Sequence, residues 1–139
     1  DCVPVILVEP MVGVVAAVHS GWRGLVVDVV GAAVAAMEQL GARVAKMQAH
    51  LGPAICGACY PVPGQRAAEV RAVRPEAVGW APDGQPSVDV RVGLIARLEQ
   101  LGVACTVLGG CTAQDPRLYS HRREGLSGRQ GGAVGIVAA

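Results

Sequence analysis

The chain has 139 residues, a length that suits one domain and leaves little room for two. Twelve Lys and Arg against eleven Asp and Glu give a net charge of +1, so no excess of charge points to nucleic acid or to an anionic membrane surface. Hydrophobic residues make up 52% of the chain, with 24 Val and 22 Ala but no Phe. This composition argues against a disordered chain or a coiled coil, and it favours closely packed strands and small-residue helices.

The apolar segments do not predict a membrane protein. The longest apolar run, residues 24–37, contains Asp28 and is shorter than the about 20 residues that a membrane span needs. No basic segment precedes an apolar stretch, so we predict no secretory signal and a cytoplasmic location. The five cysteines cannot all pair within one chain, and in a leaderless chain they indicate reduced thiols that are available for metal binding, catalysis or burial.

The first half of the chain predicts three strands and one helix. Residues 3–8 and 14–18 are continuous apolar runs, which predicts two strands covered on both faces. Apolar spacings of one, three and four predict a single helix over residues 24–40, with Gly41 after its end. Residues 46–51 predict the third strand.

The second half predicts shorter elements with longer connections. In chain order these are a Gly/Pro-rich loop with Cys56 and Cys59, a helix at 65–73, a connector at 75–86, a short strand at 88–90, a helix at 91–101, a strand at 103–108 and a final apolar stretch at 133–139. No repeat, low-complexity tract or domain boundary interrupts residues 1–139. We therefore predict one α+β domain, a layered mixed β-sheet with flanking helices.

A histidine stands where the second predicted strand ends. His19 is followed by Ser-Gly-Trp-Arg-Gly, and α/β folds place reactive groups at such strand ends because backbone donors point outward there. Arg23 adds a fixed positive charge that can form forked contacts with phosphate or carboxylate. A hydrogen-bonded histidine in an ordinary turn is the alternative interpretation, and the pattern leaves both open.

A cysteine stands at the front of the first predicted strand. If the first two strands are neighbours, the sulfur of Cys2 could approach His19. A Cys and a His within reach suit either a thiolate nucleophile or part of a Zn²⁺ site. Two ligands are too few for a metal site, so at least one more would be needed.

The segment from Cys56 to Cys59 is a C-x-x-C motif, which suits a redox dithiol or half of a structural zinc site. A four-cysteine zinc site needs a second C-x-x-C, whereas five residues separate Cys105 from Cys111. The flanking Gly-Pro and Tyr-Pro pairs indicate a loop, which favours ordinary loop cysteines.

Arginines are concentrated near the end of the chain, in residues 119–129. Arg122 and its neighbours could hold a phosphate or a nucleotide through guanidinium forks and backbone amides. A solvated basic loop is the alternative.

Taken together, these segments resemble one family, the YfiH-like proteins, also called laccase-domain or multicopper polyphenol oxidase proteins. The resemblance covers essentially the whole chain, and its most specific part is the His-Ser-Gly-Trp-Arg-Gly block, where Ala is commoner than Ser20. The matching segments are Asp1-Cys2-Val3-Pro4-Val5, Val18-His19-Ser20-Gly21-Trp22-Arg23-Gly24, Leu51-Gly52-Pro53-Ala54-Ile55 with Cys59-Tyr60, Cys111-Thr112, Tyr119-Ser120-His121-Arg122-Arg123 and Gly128-Arg129.

The resemblance implies a zinc-dependent purine nucleoside phosphorylase for adenosine, inosine or methylthioadenosine, with adenosine deaminase activity. It implies a metal site with Cys2 and His19 as ligands and a third ligand, a His, from an upstream block that has no counterpart in this chain. We therefore expect an N-terminally incomplete domain whose isolated chain binds zinc poorly and turns over slowly. The remaining four cysteines are then expected to be structural.

The resemblance also leaves rival functions. A copper-dependent polyphenol oxidase would need many more than the three His present. A metal-free Cys-His hydrolase that edits peptidoglycan precursors is a second rival. A non-catalytic fragment or binding module is the rival from another class. For the phosphorylase we expect Cys2, His19 and Arg23 in catalysis, Arg122 in phosphate binding, and a nucleoside and phosphate as the small-molecule partners, whereas the oligomeric state is left open.

Overall fold

The computed structural model describes residues 1–137, and within them it has six strands and five helices. In chain order the elements are β1 (Val3–Glu9), β2 (Val14–Ser20), α1 (Trp22–Val26), α2 (Val29–Gln39), β3 (Gln48–Leu51), α3 (Gly64–Val73), β4 (Val78–Trp80), β5 (Pro86–Val88), α4 (Val90–Leu101), β6 (Ala104–Val107) and α5 (His121–Glu124). Short 3₁₀ turns lie at Val44–Lys46, Gly57–Cys59 and Pro75–Ala77.

The main sheet is mixed and has the strand order β2-β1-β3-β6. Strand β1 is antiparallel to both β2 and β3, whereas β3 and β6 run parallel. A separate two-stranded antiparallel ribbon pairs β4 with β5. The predicted fold class, α+β with a mixed sheet and flanking helices, is confirmed.

The two leading strands differ in how far they are covered. Strand β1 lies inside the sheet, where Val3, Val5 and Leu7 are fully buried and the residues between them are half-buried. Strand β2 is an edge strand, and its Ala17 and His19 are exposed. The prediction that both strands are covered on two faces is therefore wrong for β2, because the face that carries Ala17 and His19 is open to solvent, and an apolar run alone does not show whether other elements pack on both faces.

The single helix predicted over residues 24–40 is instead two helices. Asp28 has φ 56° and ψ 46°, in the left-handed region, and this residue separates α1 from α2. Its carboxylate accepts hydrogen bonds from Arg97 of α4 at 2.7–3.0 Å and from Arg74 at 3.4 Å. Gly31 makes room for that carboxylate, because a Cβ at this position would stand 2.2 Å from Asp28 Oδ2.

Smaller corrections concern the predicted connections. The predicted connector 75–86 contains β4, and the short strand predicted at 88–90 lies at Pro86–Val88. The strand predicted at 46–51 begins only at Gln48, after a 3₁₀ turn. The helices predicted at 65–73 and 91–101 are confirmed as α3 and α4. Residues 133–137 form no helix or strand, and the last two residues of the predicted apolar stretch lie outside the described part.

The core lies between the sheet and the helices. Its largest fully buried apolar side chains include Leu7 and Leu51 from the sheet, Met37 from α2, and Leu94 and Leu98 from α4. Burial of one such side chain contributes about 1.5–3 kcal/mol, so these few residues hold the helices on the sheet. No helix in the described part of the chain is long and apolar enough to cross a membrane.

Candidate functional site

One end of the main sheet borders a cavity of about 480 Å³. Its wall comes from the start of β1, the end of β2, the loop before α3, the first residues of α3 and α4, and the segment that follows Tyr119. Both ends of the described chain therefore contribute to it. The volume lies in the range of pockets that bind small molecules.

Cys2 and His19 both lie on this wall, and both side chains are exposed. Cys2 and His19 reach the same wall because β1 and β2 are antiparallel neighbours. Their register pairs His19 with Pro4, which lies two residues after Cys2. Gly21, directly after β2, leaves space for the sulfur of Cys2, because an added Cβ at this position would stand 2.9 Å from Cys2 Sγ. Among residues 1–137, no third side chain forms a potential metal-binding group with this pair.

Two exposed ligands fit only part of a zinc site, since zinc sites take three or four protein ligands. The described residues alone therefore do not hold a complete site.

The wall is rich in arginine and aromatic side chains. Arg122 lies 5.0 Å over the ring of Tyr60, and Arg66 lies 4.8 Å over the ring of Trp22. Arg129 also lines the cavity, whereas Asp1 is the only Asp or Glu on the described wall. The cavity thus complements an anion. Sequence reasoning missed Arg66, because its place on the first turn of α3 became visible only when α3 packed beside Trp22.

Arg23 does not line the cavity. Its guanidinium lies 4.9 Å from the ring centre of Trp22, and the residue is exposed. A catalytic role for Arg23 stays a prediction, and the structure gives it a packing role against Trp22.

Asp1 organises the arginine-rich segment. One carboxylate oxygen accepts hydrogen bonds from Thr112 Oγ1 at 2.6 Å and from Ser120 Oγ at 2.8 Å. The other accepts the backbone N–H of Arg122 at 2.8 Å. These three bonds hold the start of α5 against the start of β1, which places Arg122 on the cavity wall.

A second group of side chains lies beside the cavity. The sulfur atoms of Cys56, Cys59 and Cys111 are all within 4.8 Å of one another. Sequence reasoning missed this group, because Cys111 has no C-x-x-C partner and reaches the loop only through a parallel bridge with Ala54. Cys105 lies elsewhere, on β6.

Two of these thiols, Cys59 and Cys111, differ in acidity. Burial, the hydrogen bond with Cys56 and the nearby charge of Cys111 raise the pKa of Cys59 to about 11. Burial also opposes ionisation of Cys111, but hydrogen bonds from Cys56 and from the backbone N–H groups of Gln114 and Ala113 hold the pKa of Cys111 below its usual value. Cys111 therefore ionises before Cys59 as the pH rises.

The family model described as "Multi-copper polyphenol oxidoreductase laccase" matches residues 1–137. The chain belongs to this family. The resemblance to the YfiH-like proteins is thereby confirmed.

Curated relatives carry nucleoside enzyme names. Purine nucleoside phosphorylase SCO2081 of Streptomyces coelicolor is 48% identical over 96% of this chain and 56% of its own length. Adenosine deaminase RL5, from an unknown prokaryotic organism, is 47% identical over 45% of this chain and 24% of its own length.

A solved structure supports the fold. The Neisseria meningitidis protein NMB0706 superposes with a TM-score of 0.79 at 30% identity, over 90% of this chain and 52% of that one. The chain thus spans about half the length of the relatives that it matches.

Proposed function

We propose that the protein to which this chain contributes is a zinc-dependent purine nucleoside phosphorylase. The observation that carries the proposal is the arginine-lined cavity on which Cys2, His19 and Arg122 meet. The name of the Streptomyces relative supports the same reaction. The substrates would be a purine nucleoside, such as adenosine, inosine or methylthioadenosine, and inorganic phosphate.

The cavity offers groups for each part of these substrates. Arg122 and Arg66 would bind the phosphate, because guanidinium groups make charge-assisted, forked contacts with phosphate oxygens. Tyr119 is half exposed on the wall and offers an aromatic face for the purine.

Phosphorolysis exchanges one bond at the sugar for another. A phosphate oxygen forms a bond to the anomeric carbon of the ribose, the glycosidic bond breaks, and its electron pair leaves with the purine, which takes up a proton. The arginines hold the phosphate on the sugar face opposite the departing base, so their contribution is position and charge.

Cys2 and His19 would hold a zinc ion together with a third ligand from outside residues 1–137. When bound, such an ion acts as a Lewis acid that polarises a ligand oxygen. The incomplete ligand set predicts that Cys2 and His19 of the 139-residue chain bind zinc only weakly.

The test compares the 139-residue chain with a version extended upstream by the segment that the longer relatives carry. Both are loaded with zinc and given inosine or adenosine with phosphate, and release of free base is measured. We expect base release only from the extended protein, and a loss of at least tenfold with Arg122→Ala. Phenol oxidation without base release from either protein would overturn the proposal in favour of the copper oxidase.

Adenosine deamination is a second candidate, because RL5 matches part of the chain at 47% identity. Metal-activated water attacks a purine carbon in known deaminases, so the same ligands suit both reactions. Conversion of adenosine to inosine in the absence of phosphate separates deamination from phosphorolysis.

A further inference from the structure

Beyond the cavity chemistry, we propose that Cys56, Cys59 and Cys111 form a second, independent metal site for a thiophilic d¹⁰ cation, Zn²⁺ or Cu⁺. Three sulfur atoms within 4.8 Å of one another form a group of the size that one ion requires. Zn–S bonds are about 2.3 Å long, so two thiolates on one tetrahedral ion stand about 3.8 Å apart. Soft thiolate ligands select such ions over Mg²⁺ or Ca²⁺.

The backbone holds the two halves of this thiol cluster together. Ala54 N–H donates to the carbonyl of Gly110 at 3.3 Å, and Thr112 N–H donates to the carbonyl of Ala54 at 3.1 Å, which places Cys111 beside the loop. Asp89 Oδ2 accepts the N–H of Gly57 at 3.0 Å, while Asp89 Oδ1 caps α4 by accepting from Val92 N at 3.1 Å. The loop is therefore fastened to α4 on one side and to Cys111 on the other.

A backbone donor already points at the sulfur in this cluster. Cys56 N–H donates to Cys111 Sγ at 3.3 Å. Hydrogen bonds from the backbone to sulfur orient and stabilise metal-bound thiolates, as in iron–sulfur sites. Cys111 is 8% exposed, and Cys56 and Cys59 are half-buried, so an ion bound to the three sulfur atoms would be partly sheltered from solvent.

The thiol cluster is separate from the cavity site. None of the three cysteines lines the cavity, although Ile55 and Tyr60, which flank the C-x-x-C, do. An ion here would fix the loop that carries Tyr60, over whose ring Arg122 lies. The site therefore has a structural role, and it persists whether or not Cys2 and His19 serve a phosphorylase.

The test uses the full chain, reduced and prepared without oxygen. Titration with Co²⁺ should produce a thiolate-to-cobalt absorption band in the near ultraviolet that saturates at one equivalent, and Zn²⁺ should abolish it. In the same wild-type sample, Zn²⁺ should slow alkylation of Cys56, Cys59 and Cys111, whereas the half-buried Cys105 is the internal control and should react at the same rate with and without Zn²⁺. These readouts need no variant, so a failure to fold cannot mimic them.

Matched variants then assign the ligands. Cys59→Ser and Cys111→Ser should each lower zinc affinity at least tenfold in competition with a chromophoric chelator. Cys105→Ser and the double variant Cys2→Ser/His19→Ala should leave this affinity unchanged. A cobalt band that survives Cys59→Ser and Cys111→Ser but disappears in Cys2→Ser/His19→Ala would overturn the proposal. So would a Cys56–Cys59 or Cys59–Cys111 disulfide found by mass spectrometry in protein prepared without oxygen.

Discussion

Asp28 shows how one side chain determines local backbone structure in this chain. It adopts a left-handed conformation that Asp and Asn tolerate better than other residues with a side chain. Burial alone would raise its pKa, but the hydrogen bonds from Arg97 and the charges of Arg97 and Arg74 hold the pKa of Asp28 below its usual value. The carboxylate thus joins the corner between α1 and α2 to α4.

Replacing Asp28 with Asn keeps the shape and removes the charge. Because the folded pKa is lowered, the carboxylate stabilises the chain above its unfolded pKa of about 3.9, and this contribution is lost as pH falls through the folded pKa. We expect Asp28→Asn to lower the free energy of unfolding by about 1 kcal/mol at pH 7, a small value because the side chain is 35% exposed. Urea unfolding of both proteins at pH 7 and at a series of lower pH values measures this.

Glu38→Gln is the control for the loss of one acidic charge from an exposed position of α2. It should leave stability at pH 7 within about 0.5 kcal/mol of wild type. An Asp28→Asn effect that did not shrink as the pH was lowered would contradict the assignment to the ionised carboxylate.

Gly21 sets the space beside Cys2. Its backbone is extended, at φ −94° and ψ −168°, so alanine fits the backbone but places a methyl group 2.9 Å from Cys2 Sγ. We expect Gly21→Ala to turn the sulfur away and to reduce phosphorolysis by the extended protein at least tenfold, with little change in its melting temperature. Gly110→Ala, which meets open space, is the control and should keep full activity. Equal activity of the two variants would remove Cys2 from the reaction.

At the scale of elements, periodicity predicted α3, α4 and the sheet strands, because each presents an apolar stripe or run to one core. Periodicity gave the wrong secondary structure where the local backbone depends on residues that lie far away in sequence. Asp28 divides the helix predicted over 24–40 through its bonds to Arg97 and Arg74, which lie far away in sequence. Strand β4 was missed because it has only three residues and pairs only with β5.

Helix α4 packs closely enough to need a glycine. A Cβ on Gly93 would stand 2.8 Å from Leu25 Cδ2 and 3.0 Å from Ala77 Cβ, and Gly93 is buried. We expect Gly93→Ala to lower the free energy of unfolding by about 1–3 kcal/mol, since α4 must shift from α1. Gly64→Ala at the start of α3 meets open space and should leave stability unchanged or slightly higher. Urea unfolding of both variants checks this, and equal midpoints would contradict it.

At the scale of the whole molecule, the cavity is assembled from both ends of the described chain. Sequence patterns named Cys2, His19 and Arg122, because strand ends and an arginine-rich run are visible without a structure. They did not show that Asp1 holds the segment of Arg122 in place, since those hydrogen bonds join residues more than 110 positions apart. The thiol cluster was missed for the same reason, because Cys59 and Cys111 meet only in the folded chain.

Removing the Asp1 carboxylate should release the arginine-rich segment. In Asp1→Ala, the hydroxyls of Thr112 and Ser120 and the N–H of Arg122 lose their acceptor. We expect amide hydrogen exchange around Arg122 to accelerate about tenfold or more while exchange in β1 and α4 stays unchanged. Asp83→Ala, in an exposed turn, is the control. Acceleration throughout the chain would instead indicate global destabilisation.

The assembly of the cavity from both ends links ligand binding to chain closure. Contacts between Asp1 and Arg122 close a loop of more than 100 residues. Such contacts form slowly, because closing the loop lowers the conformational entropy of the chain before the contacts can stabilise it. A ligand that needs both ends recognises only the closed chain, so it acts on the whole folding equilibrium. At a hundred times its dissociation constant, such a ligand stabilises the native state by about 2.7 kcal/mol. Melting temperature measured against phosphate concentration would then report occupancy of the cavity without any catalytic turnover.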